Sequence, residues 1–170
     1  KPGDIIKTKS GITVEVGNTD AEGRLILADA ITEGNKTEPD LMISVATLTG
    51  AARVALGTEL PALFSSNDEL VQDLKTICKH EEDYFWQLPL WKNYENLISS
   101  SIADLNNSGS SPFGGAITAA LFLQKFVKNK ENFIHIDAYA WNDKSAPGRP
   151  VGGEASLLRA LYYFLHRRYS

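Results

Sequence analysis

The sequence is short of several residue patterns, and each shortage excludes a class of protein. Its 170 residues include one cysteine, Cys78, which excludes an internal disulfide and a cysteine-rich zinc site and fits the reducing cytoplasm. Lysine and arginine number 17 against 21 aspartate and glutamate residues, a net charge of −4. Because no basic stripe is present, nucleic acid is not expected as a partner. No apolar run approaches about 20 residues and no export signal is visible, so a membrane association is not expected either.

Common catalytic motifs are missing as well. The three histidines, His80, His135 and His166, lack the spacing of a histidine-built zinc site, and His135 is expected to pack inside a strand. The serine run 99–101 lacks the G-x-S-x-G pattern of a nucleophile elbow. The glycine- and serine-rich stretch 108–115 lacks the lysine of a nucleotide-binding loop. These residues therefore predict neither an acyl-enzyme nor a nucleotide site.

The apolar residues that are present predict alternating strands and helices. Val14 and its neighbours alternate with polar residues, as in a strand, and the runs 41–48 and 133–138 are nearly continuous, as in strands buried on both faces. Helices are expected at 23–31, 67–82, 91–99, 116–127 and 154–168. On the last of these, the predicted buried face is Ala155, Leu158, Leu161, Tyr162 and Leu165. The alternation predicts one α/β domain with a mostly parallel sheet.

Two carboxylates and a guanidinium alternate just beyond the first predicted strand. Asp20, Glu22 and Arg24 would project to one side of an extended segment. Two carboxylates aimed at one spot repel each other unless a cation lies between them, so a divalent metal site is one interpretation. The other is a helix N-terminus with acidic residues in its first turn and Arg24 paired with one of them. The spacing alone does not decide between the two.

The surrounding octapeptide, Asn-Thr-Asp-Ala-Glu-Gly-Arg-Leu at 18–25, resembles the signature of the leucine aminopeptidases, the cytosolic two-metal exopeptidases of peptidase family M17. Further segments resemble the same family in order along most of the chain. They are 1–4, 46–51, 54–57, 88–90, 103–105, 114–116, 118–120 and 147–150. This context favours the metal interpretation. The resemblance also implies a three-layer α/β/α fold of the phosphorylase/hydrolase-like, zinc-exopeptidase type, here truncated.

The resemblance implies a role for each residue of the motif. Asp20 and Glu22 match two metal ligands, and Arg24 matches an arginine that holds bicarbonate, which acts as a general base in the family. The backbone groups implied in holding the same anion are those of Ala21, Gly23 and Leu48. The implied cofactors are two divalent ions, Mn²⁺ or Zn²⁺ with Mg²⁺ and Co²⁺ as alternatives, together with bicarbonate.

The resemblance further implies a peptide substrate with a free N-terminus and a leucine-like first residue. The residues implied in lining its pocket are Asn18, Thr47, Leu48 and Gly50, with 138–140 on the far side. Members of the family build hexamers, and the aromatic residues that we expect to serve the core and subunit contacts are Trp91, Tyr94, Tyr162, Tyr163 and Tyr169.

Several family residues have no match in this chain. The remaining metal ligands, a lysine and two aspartates, and a second lysine belong to motifs that precede the match to Lys1. We therefore expect residues 1–170 to be the C-terminal portion of the catalytic domain, without the upstream segment and the separate N-terminal domain. Such a chain alone is expected to be inactive and to bind metal weakly. The alternative is a non-catalytic α/β scaffold or assembly module derived from the family.

Overall fold

The computed structural model describes all 170 residues. In chain order, the strands and α-helices are β1 (Ile5–Lys7), β2 (Thr13–Glu15), α1 (Glu22–Gly34), β3 (Met42–Ala46), α2 (Gly50–Leu56), β4 (Ala62–Phe64), α3 (Asp68–Glu81), β5 (Trp86–Gln87), β6 (Leu105–Asn106), α4 (Gly115–Gln124), β7 (Phe133–Asp137), β8 (Trp141–Asn142), β9 (Gly152–Gly153) and α5 (Leu158–Tyr169). Short 3-10 helices cover Thr19–Ala21, Asn35–Thr37, Lys92–Ile98 and Lys130–Asn132. No helix has both the length and the apolarity needed to cross a membrane.

The central sheet has four strands in the order β3-β7-β4-β5. The pairs β3–β7 and β4–β5 are parallel, whereas β4 runs antiparallel to β7. A second sheet has the order β1-β2-β6, in which β2 and β6 are parallel and β1 is antiparallel. The prediction of an α/β fold with mostly parallel strand pairs is confirmed, with β4 and β5 running opposite to β3 and β7 in the central sheet.

Alternation along β7 separates two helical layers. Ile134 and Ile136 pack in a core formed with α3 and α5. Phe133 lies in the core formed with α1 and α4, and His135 stacks on Phe64, which packs against α2 and α4. Because successive residues of a strand face opposite sides of the sheet, the helices form one layer on each face. The three-layer arrangement is confirmed.

The predicted helices occur, with two corrections. Asn67 caps α3 by accepting hydrogen bonds from the N–H groups of Glu69 and Leu70, as its sequence predicts. The segment predicted as a helix over 91–99 is instead a 3-10 helix, Lys92–Ile98.

The second correction concerns α5, which begins at Leu158: of its predicted buried face, Leu161 packs against the core, and the rest is wrong. The residues that are buried are Leu157, Ala160 and Phe164, whereas Leu158 and Tyr162 are exposed. The cause lies in another element, because the Asp83 carboxylate accepts hydrogen bonds from the N–H groups of Leu157 and Ala160 and thereby fixes where the helix starts. The aromatic side chains expected at contacts are exposed; they are Trp91, Tyr94, Tyr162, Tyr163 and Tyr169.

Candidate active site

The acidic motif begins as a capped turn just beyond β2. The Asn18 side chain accepts a hydrogen bond from the Asp20 N–H at 2.9 Å, which bends the chain into the 3-10 helix and then into α1. The prediction of an extended segment here is therefore wrong. In a helix, successive residues turn by about 100°, so residues two apart do not share a side. The positions of the Asp20, Glu22 and Arg24 side chains are therefore set by a helical turn and not by the alternation of an extended strand.

Asp20 and Glu22 present free carboxylates at the N-terminal end of α1. Both residues are exposed, and neither carboxylate forms an ion pair within the chain. Carboxylate oxygens at the positive end of a helix are donors that suit a hard cation. No group of three or more His, Cys, Asp or Glu side chains is placed to hold a metal ion. A complete metal site would therefore need ligands beyond these two residues.

The Arg24 side chain is buried and forms no ion pair with either carboxylate. It is 7% exposed, and its Nη1 donates a 2.7 Å hydrogen bond to the Asn107 carbonyl oxygen. Its Nε is buried without any hydrogen-bond partner. Burial lowers the pKa of Arg24, and the nearby Asp137 carboxylate opposes that shift. The motif thus forms a helix N-terminus, as one interpretation held, but Arg24 pairs with neither acidic neighbour.

Asn107 connects Arg24 to the capped turn. It follows β6, the parallel neighbour of β2, and is fully buried. Its Oδ1 accepts hydrogen bonds from the N–H groups of Gly17 and Asn18 at 2.9 and 3.2 Å. Its Nδ2 donates to the carbonyl oxygens of Asn18 and Ala21 at 2.8 and 3.3 Å. The ends of two parallel strands are held together by this side chain.

Asp137 organises a second loop of the site. It lies at the carboxyl end of β7, is 3% exposed, and accepts hydrogen bonds from the Leu48 N–H at 2.9 Å and the Thr49 hydroxyl at 2.6 Å. Burial raises the pKa of Asp137, while the hydrogen bonds and Arg24 pull it back. A Cβ placed on Gly23 would lie 3.3 Å from the Leu48 side chain. The β3–α2 loop therefore lies directly against the start of α1.

The residues implied in substrate binding lie mostly on this second loop. The Thr47 hydroxyl donates a 2.7 Å hydrogen bond to the Ala138 carbonyl, which brings 138–140 beside it. Gly50 starts α2 with Thr49 as its cap. The Arg53 guanidinium lies over the Tyr139 ring at 4.7 Å from its centroid. Asn18 is exposed at the other loop, where its side chain caps the motif.

Sequence reasoning missed Asn107 and Asp137 as parts of this region. Asn107 lies in a polar stretch that carries no recognisable motif. The signal for Asp137 was present, because a carboxylate at the end of a continuous apolar strand needs partners once it is buried. His80, His135 and His166 take no part in the hydrogen bonds of these two loops; His135 is 1% exposed and packs inside its strand as predicted.

Comparison with known proteins assigns the chain to a family. The profile of the cytosol aminopeptidase family, catalytic domain, matches residues 1–162. The chain belongs to that family. Two curated relatives bear the name "Probable cytosol aminopeptidase": that of Chlorobium phaeobacteroides is 46% identical and that of Syntrophotalea carbinolica 48%. Each alignment covers 98% of this chain but 33% and 34% of the relative. This aminopeptidase-family chain spans about a third of the length of the curated relatives it matches.

Solved structures agree with the family assignment. A crystal structure of cytosol aminopeptidase from Coxiella burnetii superposes with a TM-score of 0.95 at 50% identity, covering 100% of this chain and 37% of that one. The bottromycin maturation enzyme BotP in complex with Mn gives a TM-score of 0.92 at 36% identity, covering 100% and 38%. A mutant tomato leucine aminopeptidase gives 0.88 at 37% identity, covering 98% and 32%. The chain therefore has the fold of the part of these proteins that it matches.

Proposed function

We propose that these 170 residues are the C-terminal portion of the catalytic domain of a two-metal aminopeptidase, which releases N-terminal, preferably leucine-like residues from peptides. The observation that carries the proposal is the buried Arg24 beside two free carboxylates. A buried guanidinium with an unpartnered Nε is costly unless an anion satisfies it, and unpaired carboxylates suit a cation. The chain thus offers a positively charged group for the anion and negatively charged groups for the metal ions of the family's chemistry.

The residues fit divalent metal ions in kind and fall short in number. Asp20 and Glu22 would supply two oxygen ligands, and the remainder would come from a segment that precedes this chain in the full-length protein. The chemistry that divalent ions supply in such a site is activation of water and polarisation of the scissile carbonyl. The solved BotP complex contains Mn, which supports Mn²⁺ as the first ion to test, with Zn²⁺, Mg²⁺ and Co²⁺ as alternatives.

Arg24 would hold a bicarbonate ion, assisted by backbone groups of Ala21, Gly23 and Leu48. The close approach of Gly23 to Leu48 supports this assignment, because it leaves main-chain groups of both loops near one another. The residues proposed to position the first residue of the substrate are Asn18, Thr47, Leu48 and Gly50. Arg24 then orients the anion and contributes no metal ligand.

The assignment is tested by hydrolysis of a chromogenic leucine amide in the full-length protein with added Mn²⁺ or Zn²⁺. Turnover is expected there and not in the isolated 170-residue chain, because ligands that act as a unit fail together. Asp20→Asn and Glu22→Gln should abolish turnover, whereas Arg24→Ala should leave slower residual activity because the metal ligands remain. The matched control is Asp73→Asn, which changes an exposed carboxylate on α3 that forms no ion pair.

Two outcomes would overturn the proposal. Turnover by the isolated chain above the metal-only blank would show that the missing ligands are misplaced. A full-length protein that is inert with every metal would favour the scaffold or assembly module instead. Exposed aromatic residues on α5 support a homo-oligomer, a hexamer by analogy, in the full-length protein, and sedimentation as a monomer at micromolar concentration would contradict that part.

A further inference from the structure

One fully buried side chain is devoted to the loop that carries the acidic motif. A carboxamide can accept two hydrogen bonds at its oxygen and donate two from its nitrogen. Asn107 makes all four, and each partner is a main-chain group of Gly17, Asn18 or Ala21. None goes to a side chain or to another part of the fold. All four hydrogen bonds that this side chain can form therefore fix the conformation of a single five-residue loop, residues 17–21.

The main chain of Asn107 holds the other half of the site. Its carbonyl oxygen accepts the hydrogen bond from Arg24 Nη1, the one protein hydrogen bond that this guanidinium makes. Its N–H donates to the Glu15 carbonyl at 3.1 Å, which locks the residue to the end of β2. Asn107 thus contacts both the backbone that orients the carboxylates and the cation proposed to hold the anion.

The capped turn also packs closely against side chains at the end of β6 and just beyond it. A Cβ on Gly17 would lie 2.4 Å from Ser108 Oγ and 2.6 Å from Asn106 Oδ1. A side chain at position 17 would therefore displace the side chains of Asn106, at the end of β6, and Ser108. Loss of the Asn107 side chain would remove four hydrogen bonds from main-chain groups of this turn, and within the loop only the Asn18 carbonyl oxygen would keep a partner, the Ala21 N–H at 3.3 Å.

We propose that Asn107 is a positioning residue that sets the Asp20 and Glu22 carboxylates in register with the Arg24 guanidinium. The inference rests on the proposed function, because it takes Asp20 and Glu22 as metal ligands. Groups that orient metal ligands from behind typically change metal affinity or activity by about 10- to 100-fold when they are removed. Asn107 touches neither metal nor substrate in this role and acts through the loop.

The test compares Asn107→Ala with Asn67→Ala in the full-length protein. Asn67 is a matched control, because it also binds main-chain groups through its carboxamide, to Glu69, Leu70 and Glu131, but it caps α3 far along the chain from the motif. Three quantities are measured: the dissociation constant of Mn²⁺ by calorimetry, kcat and KM on the leucine amide, and the melting temperature. Both variants should melt at lower temperature. Asn107→Ala alone should raise the Mn²⁺ dissociation constant at least tenfold and lower kcat.

Asn107→Asp provides a second variant that preserves shape. It keeps the oxygen that accepts from Gly17 and Asn18 but replaces the donor that serves the Asn18 and Ala21 carbonyls, so Mn²⁺ affinity should fall between wild type and Asn107→Ala. If both Asn107 variants bind Mn²⁺ as tightly as wild type with kcat unchanged, the role of Asn107 is overturned while the proposed function stands. If wild type itself neither binds Mn²⁺ nor turns over, the proposed function fails and this inference falls with it.

Discussion

The two faces of the central sheet differ in what they bury. The face toward α3 and α5 is lined by apolar side chains such as Leu63, Ile134 and Ile136, all fully buried. The opposite face also carries polar groups, among them His135, Asp137 and, from α1, Arg24. Apolar burial stabilises a fold without specifying any chemistry, whereas buried polar groups are costly unless paired.

The difference indicates that the apolar face serves mainly stability, whereas the polar face also shapes the candidate site. Three of the buried polar residues, Arg24, Asn107 and Asp137, lie around the ends of β6 and β7, beside the loops from Gly17 to Arg24 and from Thr47 to Gly50. Their hydrogen bonds hold these two loops. Substitutions on the apolar face should therefore change stability alone, and substitutions on the polar face should change the geometry of the loops as well.

The largest expected effect is on the apolar face. Phe164 is 3% exposed and lies in the core between α5 and the sheet. Phe164→Ala should lower the free energy of unfolding by about 3–5 kcal/mol, because it removes a large buried ring and leaves a cavity. Urea denaturation measures the loss, and Leu165→Ala, at a neighbouring exposed position, is the control. Mn²⁺ affinity of the folded full-length variant should not change; a large change would break the separation of the two faces.

Asp137→Ala tests the polar face. It removes the acceptor of the Leu48 and Thr49 hydrogen bonds and the carboxylate that lies near the buried Arg24. Leaving a buried donor without its acceptor costs about 1–3 kcal/mol, and Asp137 serves both Leu48 and Thr49. Unlike Phe164→Ala, this variant should also raise KM for the leucine amide in the full-length protein. The reason is that Leu48, proposed to position the substrate, loses the hydrogen bond from its N–H to Asp137. An unchanged KM at reduced stability would show that the β3–α2 loop does not depend on Asp137.

His135 adds a pH dependence to the polar face. Burial lowers the pKa of its imidazole to about 4 from an ordinary value of 6.5, so the folded protein holds it neutral. The unfolded chain takes up a proton first as the pH falls, and stability is full above pH 6.5 and lost between 6.5 and 4. At 1.36 kcal/mol per unit, the loss approaches about 3 kcal/mol. The raised pKa of Asp137 changes stability in the opposite direction on acidification. Asp137 is present in both wild type and His135→Leu, so its effect cancels when the two are compared.

The measurement is the free energy of unfolding as a function of pH for wild type and His135→Leu. The variant should lose less stability than wild type on acidification from pH 6.5 to 4. The control His166→Leu, at an exposed position on α5, should follow wild type. A wild-type curve that is flat over this interval, or that rises toward acid, would contradict the buried neutral state of His135.

The smallest effect is expected on the solvent side of α1. Ile26 is 67% exposed, although it lies two residues from the buried Arg24. Ile26→Gln should change the free energy of unfolding by less than about 0.5 kcal/mol, as for most exposed positions. A loss above 1 kcal/mol in thermal denaturation would show that this side of the helix is covered by another part of the full-length protein.

Local patterns predicted much of the fold from sequence, and contacts between distant segments account for the rest. The apolar runs and the Asn67 cap lie within single elements and were predicted correctly. The rotation of α5 depends on Asp83, more than 70 residues earlier in the chain, so its own periodicity could not reveal it. The antiparallel orientation of β4 likewise results from its pairing with β7, and the sequence of neither strand alone predicts it.

Prediction of the site from sequence was likewise limited by contacts between distant segments. The octapeptide identified the family, but its local geometry depended on the Asn18 cap, which favours a helical turn over the extended chain that period-two spacing suggested. Arg24 was noted from its spacing, yet its burial and its bond to Asn107 come from β6, about 80 residues away. A partner supplied by a distant loop leaves no mark near the motif in the sequence.

The measurement that tests the central claim most directly is a calorimetric titration of the full-length protein with Mn²⁺, wild type against the double variant Asp20→Asn, Glu22→Gln. The proposed two-metal site predicts submicromolar binding at two sites in wild type and loss of that binding in the double variant, whose helix N-terminus and Arg24 remain in place. Two submicromolar sites retained in the double variant would contradict the account, because Asp20 and Glu22 would then be surface residues at a helix end and not metal ligands.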